Sequence, residues 1–476
     1  MTQQYTIASA PGKVLVTGGY LVLEQQYPGL VIGTTSRFYT VISSVDDNII
    51  TVKSPQFDNA EWKYNVCVDE NNKLIFSTVS GGKNPFVEAC IQFSLEYVVE
   101  KCDTNKLGCN ITVVGDNDFY SQRAQLQEKG LPNTFDALAS LEPFCKTHAT
   151  LGTVHKTGLG SSAALTTSLV AGLLKHFGAV KTLSEEEDLC VVHNMAQLVH
   201  CYAQGKVGSG FDVSSAVYGS HRYNRFSPSV LKPMVQKEMD DVWRVNVVNP
   251  SKDESIRLEQ NVELWDSRVV PVSLPPQFEL ILADIDAGSH TPTLVGKVLN
   301  WRKENPEKAN QLWTDISGLN AKVEEHFRQL VELYDSDATA YSDAIKTLSH
   351  NSHDAWTAAT SKVEQKMVAL ANDFMQLRSM LRELTALSGV PIEPKEQTQL
   401  LDACMRVPGV VMAGVPGAGG FDAIFCIVIS DEAKQKVREL WQEWKELSVA
   451  PLLSEADSNG VTSVTLESVP GLSNVL

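Results

Sequence analysis

Residues 156–165, KTGLGSSAAL, set two glycines and two serines directly before an apolar run, an order that few folds accommodate. Leu165, Leu169 and Leu173 recur at i, i+4 beside Val170, Leu174 and Phe177, which predicts a helix from Ser161 with a buried face and Gly178 as its stop. Gly158 and Gly160 can take positive φ and have no Cβ, so backbone amides can converge there on an anion. The first helical turn adds N–H groups and the positive end of the helix dipole, and Ser161 and Ser162 add hydroxyls for phosphate or Mg2+. An ordinary glycine-rich turn with a serine cap fits the same residues. Two common nucleotide folds do not. A Walker loop needs GxxxxGK[ST], which is missing around this loop. A dinucleotide fingerprint needs a buried strand in front, whereas THATLGTVHK is only partly apolar. After the helix comes SEEEDL, where Ser184 and Glu187 predict a capping box opening another helix, not a strand ending in an acid.

The order of elements around this loop predicts an α+β chain. Residues 5–53 carry β-branched runs, KVLVTG, GLVIGTTS and FYTVISSV, which read as separate short strands. Residues 121–153 are polar and irregular and read as a flexible lid. Prolines punctuate residues 225–275, residues 292–388 are strongly helical, and FELILADI, GVVMAGV and FDAIFCIVIS return to strands. The predicted division is an N-terminal domain over 1–225, a mixed connection over 226–275 and a C-terminal domain over 276–476.

A formal charge of −17 on 476 residues excludes a broad nucleic-acid or anionic-membrane surface, because both need basic footprints. Nine cysteines without CxxC or metal-ligand spacing read as reduced structural thiols. The N-terminus lacks a signal-peptide pattern and no apolar run approaches a membrane span, so the expected compartment is the cytoplasm. Nothing in the sequence sets the oligomeric state, and a monomer is the working expectation.

Four further elements carry chemistry-bearing residues. In APGKVLVTGGYLVLE, Lys13 follows Pro11 and Gly12, where an ammonium can neutralise a transferred phosphoryl group or simply stand solvated at a strand end. In AQGKVGSGFDVSSAVYGS, glycines surround Lys206 and set Asp212 in a turn, where it can orient a nucleophile or merely cap the helix from Val213. DIDAGSHTPTLVGKVLNWR offers Ser289, His290 and Thr291 ahead of Lys297 and Arg302, fit for a small anion. GVPGAGGFDAIF supplies Gly417, Gly419 and Gly420, which suit close approach by a ligand or tight packing equally.

In this order, PGKVLVTG, KTGLGSSAAL and GVPGAGGFDAIF resemble the three motifs of the GHMP kinase superfamily, from Ala10 to about Val428. NDFYS at 117–121, AQGKVGSGFDVSSAVYG and TPTLVGKVLNWR resemble the eukaryotic phosphomevalonate kinase family within it. The resemblance implies an N-terminal domain like ribosomal protein S5 domain 2, a ferredoxin-like C-terminal domain, and ATP-dependent conversion of 5-phosphomevalonate to 5-diphosphomevalonate with Mg2+. By position it implies that Lys156, Gly158, Leu159, Gly160, Ser161, Ser162 and Ala163 hold the ATP phosphates, with Ser162 as metal ligand. Lys13 and Asp212 would be the catalytic pair. Lys206, Ser289, His290, Thr291, Gly417, Gly419 and Gly420 would face the acceptor. Cations for the acceptor's own phosphate are Lys156, Lys206, His290, Lys297, Arg302 and Arg123, with Lys156 preferred because it abuts the phosphate loop. Mevalonate kinases carry a metal-binding glutamate upstream of the catalytic aspartate; the corresponding stretch here, HCYAQGK, has no carboxylate.

Overall fold

The computed structural model describes residues 4–102, 106–249, 253–260, 262–285 and 291–476. Its larger sheet runs in the order Thr462–Ser463, Thr6–Thr17, Gly29–Ser44, Cys109–Gly115, Ile49–Lys53, Glu61–Val68 and Leu74–Ser80. The runs read as separate strands merge: GLVIGTTS and FYTVISSV lie in one strand, Gly29–Ser44. The polar residues between them are satisfied by the C-terminal tail, with Thr35 N–H donating to the Glu455 carbonyl at 2.9 Å and Arg37 paired with Asp457 at 3.2 Å. With those groups satisfied, no turn is needed there.

Helix Ser161–His176 lies across strands Thr6–Thr17 and Gly29–Ser44, with Leu169, Val170, Leu173 and Leu174 fully buried, as the leucine spacing predicts. Gly178 follows with φ of 80°. Helices Glu186–Gln204 and Phe211–Tyr218 pack beside it. The predicted Ser184/Glu187 capping box is not formed. The helix starts at Glu186 without a side-chain cap, and the preceding amides are taken by Thr182 Oγ1 (from Glu185, 3.2 Å) and Asp188 Oδ2 (from Lys181 and Thr182, 2.8 and 2.7 Å). Residues 121–153 are not a free lid either. They hold two short helices, Arg123–Glu128 and Phe135–Ala139, whose Leu126, Leu138 and Leu141 cluster with Leu453, and Thr147 N–H donates to the Gln56 carbonyl at 2.8 Å.

The smaller sheet runs Val410–Gly414, Ala423–Val428, Glu279–Ile285, Val449–Pro451, all antiparallel. Its strands read as continuous apolar strings because both faces are covered. Leu280, Leu282, Phe425 and Ile427 face the core that includes the long helices Pro306–Ser336 and Lys362–Ser388, while Ile281, Ala283, Ile424 and Cys426 face helices Lys395–Met405 and Asp431–Glu443. Strand Arg268–Pro271 and the tail strands Ala456–Asp457 and Thr462–Ser463 belong to the larger sheet, so the chain crosses between the two sheets more than once.

A buried ion pair fixes the loop before helix Lys395–Met405. Arg378 is fully buried, donates to Glu393 at 2.6 Å and forms an ion pair with Asp402 at 2.9 Å. That loop carries Ile392, whose carbonyl accepts Gly420 N–H at 2.8 Å and thereby positions the glycine turn over 414–422.

Candidate active site

Strand Thr6–Thr17 changes register between Pro11 and Lys13, and this irregularity brings Lys13 against the loop over 156–160. Lys13 clips that loop twice: its N–H donates to the Leu159 carbonyl at 2.9 Å and its ammonium to the Gly158 carbonyl at 2.8 Å. The close approach needs Gly160, whose φ is 81° and where a Cβ would lie 3.0 Å from Lys13 Cε. Gly160 also caps helix Ser161–His176 without a side chain, so no cap competes with an anion for the first-turn amides. Ser161 is buried, and its hydroxyl acts against the rise that burial imposes on the Tyr120 pKa. Ala163 turns its methyl into packing with Ala196 and Val213, and its N–H donates to the Gly160 carbonyl at 3.1 Å, so it offers the cleft no side chain. Lys156 is held through its backbone by a bridge to Tyr120, and desolvation lowers its pKa although part of the side chain reaches solvent.

Asp212 enters from the other side, in the first turn of helix Phe211–Tyr218. Its turn is tied down three ways: Gln197 donates to the Gly210 carbonyl at 2.7 Å, Tyr223 to the Ser209 carbonyl at 3.0 Å and Arg225 to the Gly208 carbonyl at 2.6 Å. Asp212 is not the cap of this helix, which starts at Phe211 behind Gly210 with no side-chain cap bond; its Oδ1 accepts from the adjacent Val213 N–H at 3.0 Å, while Oδ2 lies 3.9 Å from His200 Nε2. Burial lowers the Lys13 pKa, opposed by the charges of Asp212 and Asp422. The Lys13 ammonium also sits 5.6 Å from the Phe211 ring centroid. Lys206 follows the left-handed Gly205 that ends helix Glu186–Gln204 and is exposed beside His200.

The third glycine turn docks on the first strand and its continuation. Gly417 N–H donates to the Leu15 carbonyl at 3.1 Å, and the Tyr20 hydroxyl to the Ala418 carbonyl at 2.6 Å. A Cβ built on Gly158 would lie 3.8 Å from Asp422 Cβ, so this turn and the phosphate loop meet. Ser289 and His290 lie outside the described residues, and Thr291 opens helix Thr291–Glu304. Arg302 does not serve as an open cation: it pairs with Glu24 and its guanidinium stacks 4.8 Å from the Trp313 ring centroid. Arg123 is likewise engaged, donating to Ser448 Oγ at 2.6 Å and lying 3.7 Å from Asp284.

The family model for the GHMP kinases N terminal domain matches residues 138–220, and that for GHMP kinases C terminal matches residues 366–446. A protein of Arabidopsis thaliana named phosphomevalonate kinase, peroxisomal, is 38% identical over 96% of this chain and 95% of its own. The Candida albicans phosphomevalonate kinase is 36% identical over 90% of this chain and 92% of its own. The chain belongs to the phosphomevalonate kinase family. A solved Streptococcus pneumoniae phosphomevalonate kinase, in complex with phosphomevalonate and AMPPNP, shares the fold with a TM-score of 0.56 at 15% identity, over 95% of this chain and 99% of that one.

Two side chains at the centre of this phosphomevalonate kinase family fold carry little signal of their own in the sequence. His200 is 4% exposed and sits 3.1 Å from Ser162 Oγ, yet it falls on the buried stripe of its helix and reads as core. Asp422 stands two residues after the last glycine of GVPGAGG, behind Phe421, and an acid at the end of a backbone-accessible turn was the available cue.

Proposed function

We propose that this protein transfers the γ-phosphoryl group of ATP to 5-phosphomevalonate, giving 5-diphosphomevalonate and ADP, in the mevalonate route to isoprenoids and sterols. The observation that carries the reading is the convergence of Lys13, the loop over 156–162 and Asp212 on one cleft, in a chain that matches phosphomevalonate kinases over nearly its whole length. The amides over 158–162 and the hydroxyls of Ser161 and Ser162 suit the ATP phosphates, with Leu159 contributing backbone only; Ala163, whose N–H is given to the Gly160 carbonyl, shapes the turn, and Lys156 stands beside it. Lys206, Ser289, His290, Thr291 and the turn containing Gly417, Gly419 and Gly420 are the proposed acceptor side. Gly419 and Gly420 act there by shaping the turn against Ile392. We keep residues 1–225 as the nucleotide-holding half and 276–476 as the second half, with the tail strands returned to the first.

Phosphate as acceptor changes what the side chains must do. A phosphate monoester has a second pKa of about 6 and is mostly dianionic at neutral pH, so its attacking oxygen needs no base. That oxygen forms the new bond to Pγ as the bond from Pγ to the β,γ-bridging oxygen breaks, and ADP leaves with the electron pair. The harder task is bringing two anions together, and Lys13 is placed to neutralise the charge between them. Asp212 then chiefly positions Lys13 and the acceptor.

The donor set fits Mg2+. Ser162 offers a hydroxyl and Asp212 a carboxylate, and no group of three or more His, Cys, Asp or Glu among the described residues is placed to hold an ion. A hard cation that keeps its waters and takes one or two protein oxygens besides phosphate suits such a site. When bound, it would neutralise charge on the β- and γ-phosphates. No helix among the described residues is long and apolar enough to cross a membrane. The cytosol is the compartment we propose; the Arabidopsis relative is named peroxisomal, so fractionation decides.

The test presents ATP with mevalonate, phosphomevalonate and diphosphomevalonate in parallel. ADP release with phosphomevalonate alone supports the reading; release with mevalonate alone, or decarboxylation of diphosphomevalonate, replaces it.

A further inference from the structure

His200 occupies the stretch HCYAQGK, which offers the site no carboxylate. Its ring is 4% exposed, packs 5.8 Å from the Phe86 ring centroid, and presents Nε2 to three groups at once. Ser162 Oγ lies at 3.1 Å, Gln204 Nε2 at 3.0 Å and Asp212 Oδ2 at 3.9 Å. Gln204 Nε2 lies 3.0 Å from Nε2 and 3.5 Å from Nδ1, against the ring and not along one lone pair, so the in-plane partner of Nε2 is the Ser162 hydroxyl at 3.1 Å. That contact, made by a ring held nearly out of solvent, fixes the direction in which the Ser162 oxygen points.

We infer that His200 is a positioning residue that aims the Ser162 oxygen at the nucleotide while adding no negative charge where two phosphates must meet. A carboxylate in its place would orient the same hydroxyl and also repel both anions. An imidazole carries no negative charge in either protonation state, and this makes His200 a determinant of acceptor class as well as of geometry. The inference rests on the phosphomevalonate kinase reading of the same site.

Three variants test it: His200→Leu, His200→Gln and His200→Glu, each melted beside the wild type to confirm folding. Steady-state kinetics give kcat and the KM for ATP and phosphomevalonate; calorimetry without any metal or nucleotide gives phosphomevalonate affinity alone. Loss of an orienting partner behind a ligand costs about 10- to 100-fold, so His200→Leu should lower kcat in that range with the phosphomevalonate KM little changed. His200→Gln places an acceptor oxygen near the position of Nε2 and should recover kcat to within about threefold. His200→Glu should keep the hydroxyl oriented but weaken metal-free phosphomevalonate binding by about tenfold through like charge. Equal kcat for the Leu and Gln variants overturns the orienting role, and unchanged acceptor binding in the Glu variant overturns the charge role. A wild type that turns over no phosphomevalonate fails the functional reading instead, before any variant is compared.

Discussion

The two glycine-rich turns at the cleft use the same residue for opposite ends. In the loop over 156–160, Gly158 has a φ of 79°, and a Cβ there would meet nothing nearer than Asp422 Cβ at 3.8 Å. Its freedom keeps space open on the cleft side. In the turn over 414–422, a Cβ on Gly419 would fall 2.1 Å from the Ile392 carbonyl oxygen, and the neighbouring Gly420 amide is already bonded to that oxygen. Here the missing side chain is filled by protein backbone. On the proposed function, one turn receives a ligand and the other is received by the fold, so substitutions in the two should separate function from stability.

The sharpest break on the receiving side is Lys13→Met. The ammonium holds the Gly158 carbonyl and faces the cleft with Asp212 and Asp422 about it, and removing a group that stabilises developing charge costs about 100- to 1000-fold in kcat. Rapid-quench turnover with saturating substrates should show that loss, with the melting temperature little changed. A fall in stability with intact turnover would move Lys13 to the structural side of the comparison.

Next in size is the glycine pair itself. Gly419→Ala drives a methyl into backbone at positive φ, and we expect a loss of about 3 kcal/mol from overpacking and left-handed strain together. Gly158→Ala meets only the strain of its left-handed backbone, about 1–2 kcal/mol, yet should raise the ATP KM by more than Gly419→Ala does. Chemical denaturation and ATP titration of both variants decide it, and identical profiles would erase the distinction.

Asp212→Asn should cost turnover less than Lys13→Met, about 10- to 30-fold, because a dianionic acceptor does not need its proton removed and what is lost is one charged partner of a lysine. Asp212→Asn falling below Lys13→Met in kcat would restore base catalysis as the main role.

How far these differences were legible follows from where the constraint lies. Helix Ser161–His176 could be read because its leucines repeat along one continuous segment. GLVIGTTS and FYTVISSV read as separate runs although they form one strand, Gly29–Ser44, because the polar residues where they meet are satisfied only by the tail over 455–457, a partner more than 400 residues away. The Ser184 box failed for a local reason: Thr182 Oγ1 takes the Ser184 amide that Glu187 would have accepted, and a capping motif does not say which acceptor wins. Both glycine turns were visible as glycine turns. Their difference was not, since it depends on Ile392, which the buried Arg378–Glu393 pair sets in place from another helix. His200 stayed hidden because a polar group aimed into a cleft from a buried stripe has the spacing of a core residue.

The smallest expected effect asks whether the received turn matters to the acceptor at all. Tyr20 is 4% exposed and its hydroxyl donates to the Ala418 carbonyl at 2.6 Å, across nearly 400 residues of chain. Tyr20→Phe removes the donor, keeps the ring and leaves that carbonyl without this partner, which should cost about 1 kcal/mol in urea unfolding. Gly417, bonded to Leu15 one residue before Ala418, should hold the turn in register, so the phosphomevalonate KM should rise no more than about twofold, in keeping with a loss of that size partly absorbed by its neighbours. A stability loss of this size with no change in either KM keeps the turn purely structural. A tenfold rise in the phosphomevalonate KM would show that its exact placement reaches the acceptor, and the two glycine turns would then differ in how they act on substrate rather than in whether they do.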